Sequence, residues 1–283
     1  MATHLQERLW QHLSHLVRER DPYLATEGHF YVKEYIHQEL SQFGAVHRHS
    51  FRTLKKFANS VQENLVLQLQ GKHPLPPILV GAHFDAVPGS PGADDNASGI
   101  AVLLELAKHF HQHPARHPIH FIGFDMEEYG RLGSQAYAQD LRRSRTKIKT
   151  MISLEMLAYI DPQPGAQKYP SRLEYFYPST GNFIALLGNL RSIPTMAKLS
   201  SHIKYSGAPC EWLPIPLRGT LLPDTRRSDH ASFWDQGYSA LMVTDTANLR
   251  NPHYHQPSDT IETLNLDFLE SIYNGLVRAL HYC

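Results

Sequence analysis

The apolar positions of this chain follow two periods, one typical of helices and one typical of buried strands. Leu5, Leu9, Leu13 and Leu16 recur at helical spacing, which predicts an amphipathic helix over residues 3–19. The same spacing recurs in four later segments. It predicts helices over 27–43, 98–111, 134–143 and 266–282.

The first two helices are separated at Asp21-Pro22, because proline does not continue a helix. Thr26 is predicted to cap the second helix, since a threonine hydroxyl accepts a free main-chain N–H group of the first turn. Gly44 is predicted to close the same helix.

Short apolar segments between the helices predict the strands. Residues 64–70 alternate polar and apolar side chains, which predicts a half-buried strand with an antiparallel neighbour. Continuous apolar runs predict strands that are covered on both faces. These runs lie at 77–83, 118–125, 148–156 and 239–245. Buried strands alternating with helices predict an α/β fold, a three-layer sandwich whose mostly parallel mixed sheet is flanked by helices.

Residues 1–283 are predicted to form a single domain, because no glycine- and serine-rich linker divides the chain. The least regular stretch is 161–227, which is rich in proline and aromatic residues. It is too long for a simple connection, and we therefore expect an insertion that shapes a pocket.

Composition adds constraints on partners and location. The 27 basic and 27 acidic residues balance, so neither nucleic acid nor an anionic membrane is an expected partner. Charged residues interrupt every apolar run near the N-terminus, so no signal peptide or membrane span is predicted. Cys210 and Cys283 are expected to be reduced, which favours the cytoplasm.

Chemically active side chains stand just after the predicted buried strands. In a largely parallel sheet the carboxyl ends of the strands line one crevice, so these side chains converge there. Clustered carboxylates repel one another, and divalent cations usually relieve that repulsion. Nitrogen and oxygen donors without sulfur suit zinc, with manganese or cobalt as substitutes. The residues are His83, Asp85, Asp125 to Glu128, Glu155, Asp245 and His253 to His255, with Gly92 to Gly99 before a helix.

Two spacings within this set carry further predictions. His83 and Asp85 are two residues apart, so on a strand Asp85 would share a face with the imidazole and steady it. Neighbours on a strand point in opposite directions, so joint use of Glu127 and Glu128 predicts a turn. The acidic turn before Ser98 has an alternative role, because it would also serve as a helix cap.

Together these segments resemble peptidase family M28, the co-catalytic zinc aminopeptidases. GAHFDAVPGSPGADDNASGIAVLLELA resembles the first metal-binding segment of the family, FIGFDMEEYGRLGSQAYA the second and SLEML the third. RRSDHASFWDQGYSALMVTDT and NPHYHQPSDTIETL resemble the C-terminal signature. The resemblance runs from about residue 60 to the C-terminus and is weakest over 161–225. It implies the fold of zinc-dependent exopeptidases and two zinc ions per chain.

The resemblance also implies a role for each matching position. Asp95 stands four residues before Gly99 and would be the carboxylate that bridges the two zinc ions, with a water molecule or hydroxide as the second bridge. The peptide bond Asp95-Asn96 is expected to be cis, as in the family. Glu127 would be the general base, and Asp85 would support the site. The implied zinc ligands are His83, Asp95, Glu128, Glu155 and His255, with His253 as the competing choice for the last.

Glu155 departs from the family pattern, because many members have aspartate at this position. The longer side chain puts the metal spacing and relative affinity in doubt more than the reaction. Asp229-His230 is expected to be structural or pocket-lining, and Tyr254 and Asp259 are expected to support the loop that carries the last ligand. The implied substrate is a peptide with a free N-terminus. The alternatives are a single-zinc glutaminyl cyclase, a carboxypeptidase or dipeptidase, and a peptidase-like binding module without activity.

Overall fold

The computed structural model describes residues 3–53, 60–170 and 172–283. At its centre is an eight-stranded sheet in the order β1-β2-β4-β3-β5-β8-β6-β7. The strands are β1 Val46–Arg52, β2 Val61–Leu69, β3 Ile78–His83, β4 Ile119–Phe124, β5 Thr150–Glu155, β6 Ile184–Asn189, β7 Cys210–Ile215 and β8 Ala240–Thr244.

The pairing of the central strands determines where the site can lie. Strands β4, β3, β5 and β8 run parallel to one another, so their carboxyl ends meet at one edge of the sheet. Strand β6 is antiparallel to β8, and β7 is parallel to β6. Both β6 and β7 therefore begin at the edge where the four parallel strands end. On the other side, β2 is antiparallel to β4 and to β1.

Helices cover both faces of the sheet, which confirms the predicted three-layer α/β architecture. The larger apolar core packs α1, α2, α3, α5 and α7 on one face, and the smaller core packs α4 and α6 on the other. The helices are α1 His4–Leu16, α2 Thr26–Ser41, α3 Gly99–Gln112, α4 Leu132–Arg143, α5 Ile193–Tyr205, α6 His230–Asp235 and α7 Leu266–Tyr282.

The predicted helix boundaries hold at the C-terminus but shift near the N-terminus. Helix α7 covers 266–282, as the apolar spacing indicates. Thr26 is not a cap, because α2 already includes it and the preceding Ala25 has no capping side chain. Instead, Asp21 turns the chain before α2, where its Oδ1 accepts the N–H groups of Tyr23 and Leu24 at 2.8 and 2.6 Å.

The stretch 161–227 contains regular structure that the sequence pattern did not reveal. Strands β6 and β7 and helix α5 all lie within it, and both strands belong to the central sheet. Strand β7 was hidden by Pro214, which a sheet tolerates here because β7 is its outermost strand. Strand β1, at the opposite edge, was missed because most of its residues are polar.

Helix α1 is fastened to α3 by a buried charge cluster. Glu105 of α3 is 2% exposed and accepts from Arg8 Nε at 3.0 and 2.9 Å. His12 Nε2 lies 3.3 Å from the same carboxylate. Burial alone would raise the pKa of Glu105, but the His12 and Arg8 contacts lower it below the ordinary value.

Two further observations concern the chain as a whole. Cys210 and Cys283 are both free thiols, as predicted, and both are buried. Among the described residues, no helix has the length and apolar content needed to cross a membrane.

Candidate metal centre

The parallel strands bring the predicted ligands to one edge of the sheet. His83 is the last residue of β3, and Glu155 is the last residue of β5. Glu127 and Glu128 follow β4 by a few residues. His255 lies in the loop between β8 and α7.

The first group of possible ligands contains His83, Asp95 and Glu155, and all three are buried. Nε2 of His83 lies 3.2 Å from Oδ1 of Asp95 and 3.4 Å from Oε1 of Glu155. The carboxylate of Glu155 therefore lies with His83 and Asp95, even though many family members have the shorter aspartate at this position.

The second group contains Asp95, Glu128 and His255. Nε2 of His255 lies 3.2 Å from Oδ2 of Asp95 and 3.3 Å from Oε2 of Glu128. Asp95 thus offers one oxygen to each group, as a bridging carboxylate must. His253 belongs to neither group, and its Nδ1 pairs with Ser258 Oγ at 2.9 Å.

A divalent cation fits the second group. Nε2 of His255 is buried and makes no hydrogen bond to any described residue, although two carboxylate oxygens face it. A buried polar atom of this kind requires a partner. Imidazole nitrogen and carboxylate oxygen are ligands that zinc accepts, so a zinc ion would satisfy the atom.

Glu127 lies next to both groups. It forms a third cluster with His83 and Glu128, in which one donor atom of each residue lies within 4.8 Å of the others. The predicted turn is present here, since the N–H groups of Gly130 and Arg131 both donate to Glu127 O. This turn lets the adjacent side chains Glu127 and Glu128 face the same crevice.

Asp85 holds this turn in place. Its Oδ1 accepts the main-chain N–H of Glu127 at 3.0 Å, and its Oδ2 accepts that of Glu128 at 3.1 Å. Nδ1 of His83 lies 3.5 Å from Oδ1 of Asp85 and 3.2 Å from its main-chain oxygen. Asp85 lies beyond the end of β3, so its contacts come from the loop rather than from a shared strand face.

The Asp95 loop is fixed by the side chain of the adjacent Asn96 and by Asp259. The peptide bond Asp95-Asn96 is cis, as the resemblance implied. The Asn96 side chain donates to Leu154 O at 2.8 Å and accepts from Met156 N at 3.1 Å. Asp259, four residues after His255, accepts the N–H groups of Asp94 and Asp95, so it ties the loop that carries His255 to the Asp95 loop.

Glu155 is oriented by a serine pair that sequence reasoning missed. Ser228 Oγ donates to Glu155 Oε2 at 2.7 Å and lies 3.0 Å from Ser153 Oγ. Oε1 of Glu155 is thereby left to face His83. Ser228 is part of the RRSDH segment, but that segment alone does not show which residue it contacts.

Charges in the site are strongly coupled. Burial raises the pKa of Glu127 well above its usual range and that of Glu128 to about 7. Burial alone would lower the pKa of His255, but contacts with Asp95 and Glu128 raise it to about 10. Burial raises the pKa of Asp95, but contacts with His255 and His83 lower it overall. Both imidazoles must lose a proton to bind a cation, so binding releases protons.

Asp229 and His230 lie beside the site. Asp229 is fully buried, and neither of its oxygens has a hydrogen-bond partner among the described residues. Burial raises its pKa to about 7. Burial lowers the pKa of His230 to about 3, and its ring packs edge-on against Trp234 with Nε2 2.8 Å from Thr225 O.

A mainly apolar pocket opens next to Glu155 and Tyr254, with a cavity volume of about 110 Å³. Its walls come from the region 161–227, which includes β6 and β7, and from β8 with the residues that follow it. Tyr254 stacks on His255 with ring centroids 3.7 Å apart, and its hydroxyl accepts from Arg227 at 2.9 Å. The large apolar lining residues are Tyr169, Tyr177, Phe183, Trp212, Leu213 and Met242.

Comparison with known families agrees with this geometry. The family model described as Peptidase family M28 matches residues 64–189 and 214–280, more than half of the chain. The chain belongs to peptidase family M28. All the candidate ligands and Glu127 lie within the matched M28 segments, whereas α1 and α2 lie outside them.

Two curated relatives extend the M28 assignment. YfbL of Escherichia coli is 34% identical over 222 residues, which cover 73% of this chain and 67% of YfbL. Aminopeptidase YwaD of Bacillus subtilis is 41% identical over 235 residues, which cover 81% of this chain and 46% of YwaD. This M28 chain therefore spans about half the length of YwaD.

Solved structures show the same fold. LapB from Legionella pneumophila superposes with a TM-score of 0.75 at 22% identity, covering 97% of this chain and 70% of LapB. Tannerella forsythia glutaminyl cyclase superposes with a TM-score of 0.70 at 18% identity, covering 98% of each chain. At these identities the likeness establishes the M28-type fold and leaves the reaction open.

Proposed function

We propose that this chain is a two-zinc aminopeptidase that removes single residues from the free N-terminus of peptides. The observation that supports this most directly is the position of Asp95, whose two oxygens face His83 and His255 in separate ligand groups. A shared carboxylate between two such groups is the arrangement needed for a pair of cations. Relatives named aminopeptidase agree with the proposal.

His83, Asp95 and Glu155 would hold one zinc ion, and Asp95, Glu128 and His255 the other. Bound zinc would supply Lewis acidity toward the scissile carbonyl and would lower the pKa of a water molecule. The protein's own contribution is to fix the ligands through hydrogen bonds. Asp85 holds the turn that carries Glu128, Ser228 orients the carboxylate of Glu155, and Asp259 holds the main chain at Asp95.

Glu127 is the proposed general base and acid. Among the described residues, no hydrogen bond holds its carboxylate, whereas Asp85 fixes its main-chain N–H. The carboxylate is therefore positioned and still available for proton transfer. It takes a proton from the attacking water and delivers it to the leaving amine.

The surroundings also suggest which end of the peptide binds. The proposed zinc ions would offset the charges of Asp95, Glu128 and Glu155, so the free α-amine of the substrate would bind either a zinc ion or a carboxylate at the edge of the site, which a blocked amide cannot do. The pocket beside Glu155 then receives the first side chain of the substrate. Because its lining is mainly apolar, we expect N-terminal leucine, methionine or phenylalanine to be preferred.

A glutaminyl cyclase is the second candidate, because the T. forsythia cyclase superposes over 98% of both chains. A single-zinc cyclase needs only one ligand group. The presence of the first group, with His83, Asp95 and Glu155, beside the group that contains Glu128 and His255 favours the aminopeptidase.

One experiment separates these possibilities. The chain is stripped with a chelator, titrated with zinc, and assayed on leucyl, phenylalanyl and alanyl nitroanilides, on N-acetyl-leucyl nitroanilide and on a peptide with N-terminal glutamine. We expect two zinc ions per chain and hydrolysis that requires the free amine. Equal hydrolysis of the acetylated substrate would contradict the proposal. One zinc ion with cyclisation of the glutaminyl peptide would establish the cyclase instead.

A further inference from the structure

Arg20 lies between α1 and α2, outside the segments that match the family, yet it reaches the metal centre. It is 1% exposed, and its guanidinium donates only to main-chain oxygens. The acceptors are Phe84 O at 2.8 Å, Gly92 O at 2.8 Å, Asp95 O and Arg18 O at 3.2 Å, Leu16 O at 3.3 Å, and Pro91 O.

Four of these acceptors lie in the segments that follow His83 and that carry Asp95. Phe84 directly follows His83, and its oxygen accepts from Arg20 Nε. Asp95 is the shared carboxylate residue, and its main-chain oxygen accepts from Nη2 of the same guanidinium. One planar group therefore links the end of β3 to the Asp95 loop and to the end of α1. A guanidinium suits this task because its donors point in fixed directions.

The Asp95 loop is shaped around this guanidinium. Gly92 has φ +60°, and a Cβ placed there would lie 2.3 Å from Asp95 O and 2.7 Å from Nη2 of Arg20. A side chain at this position would push the guanidinium out of place. Glycine is thus required both by the backbone conformation and by the close approach of Arg20.

Arg20 also brings a positive charge toward the carboxylates. Among the described residues it forms no direct salt bridge. Burial lowers its pKa, whereas Asp95, Asp259, Asp85 and Glu128 act in the opposite direction. Arginine stays protonated under these conditions. Its charge offsets part of the repulsion among the carboxylates in the metal-free site, which by itself would reduce their attraction for cations. A favourable effect of Arg20 on zinc binding must therefore come from the geometry of the loops that it holds.

We propose that Arg20 is a positioning residue of the metal centre, which holds the His83 and Asp95 loops at the separation that cation binding requires. The inference rests on the proposed function only in assuming that cations bind there. Loss of Arg20 should weaken zinc binding and lower kcat. KM should change little, because Arg20 is not among the residues that line the apolar pocket.

The test compares Arg20→Met with Arg8→Met. Arg8 lies on α1 and is paired with Glu105 of α3, and its hydrogen bonds do not involve the ligand loops. Zinc affinity is measured by competition with a chelator, and thermal unfolding is measured on the metal-free chains. Arg20→Met should raise the zinc dissociation constant about 10- to 100-fold. Arg8→Met should lower the unfolding temperature and leave zinc affinity unchanged.

Two further variants keep the test decisive if Arg20→Met does not fold. Arg20→Lys retains the charge but cannot span the same carbonyl groups, so it should still weaken zinc binding. Gly92→Ala brings a Cβ against both Asp95 O and Nη2 of Arg20, so its zinc affinity should also fall. If that loss acts through the guanidinium, it should not add to the loss of Arg20→Lys in the double variant. Unchanged zinc affinity in Arg20→Lys and Gly92→Ala would overturn the inference, as would an equal loss of affinity in Arg8→Met.

The zinc measurement is independent of the substrate. If the chain binds zinc in an Arg20-dependent way but hydrolyses no peptide, the aminopeptidase proposal fails and the role of Arg20 stands. If the chain hydrolyses peptides as proposed but the Arg20 variants bind zinc as tightly as the wild type, the aminopeptidase proposal stands and the proposed role of Arg20 fails.

Discussion

Replacing Glu127 by glutamine tests the proposed proton transfer directly. The amide keeps the size of the side chain but cannot take a proton from water. The main-chain hydrogen bond from Glu127 to Asp85 does not depend on the side chain, so the turn should persist. Loss of general base catalysis typically costs 10²- to 10⁴-fold in rate, which corresponds to about 3–5 kcal/mol in activation free energy.

The assay measures kcat and bound zinc on the same preparation of Glu127→Gln. We expect kcat to fall by about 10²- to 10⁴-fold while the zinc content stays at the wild-type value. Glu128→Gln is the matched control, since the neighbouring carboxylate lies within a ligand group with Asp95 and His255. It should lose zinc as well as activity. Near-normal turnover in Glu127→Gln would refute the proposed role of Glu127.

Three other predictions follow from contacts described above. Ser228→Ala removes the hydrogen bond to Glu155, so the zinc dissociation constant, measured by chelator competition, should rise about 10-fold. Ala185 of β6 also lines the apolar pocket, and Ala185→Met fills part of that pocket, so kcat/KM for leucyl substrates relative to alanyl substrates should fall by about 10-fold or more. Glu105→Gln should unfold at lower temperature near neutral pH. Burial alone would raise the pKa of Glu105, but ion pairs with α1 lower it, so its contribution exists above the ordinary pKa and disappears as the pH falls through the folded value.

The candidate ligands could be predicted from the sequence because they lie at or after the ends of predicted buried strands. Apolar runs located β3, β4, β5 and β8, and the parallel arrangement then required their ends to meet. The choice of Asp95 over Asp94 came from the resemblance to family M28, whose bridging aspartate stands four residues before a glycine, here Gly99. The structure places Asp95 between the two histidines.

Long-range contacts were not within reach. Arg20 lies 75 positions from Asp95 along the chain, and nothing in its local sequence indicates a guanidinium buried among carbonyl groups. The contact between Ser228 and Glu155 spans 73 positions. Strand β7 was also not predicted, because it contains Pro214 and its half-buried side chains do not follow a strand period, as is possible at the edge of a sheet. These features depend on packing between distant segments, which periodicity does not record.

The reversed direction of β6 separates two tasks within one crevice. The candidate ligands lie at the ends of β3 and β5 and in the loops that follow β3, β4 and β8. The apolar walls come largely from 161–227, including the first residues of β6 and β7. If this pocket receives the first side chain of the substrate, as proposed, substitutions in its walls should change the preferred side chain while the candidate ligands stay unchanged. Selectivity would then be open to redesign separately from the reaction.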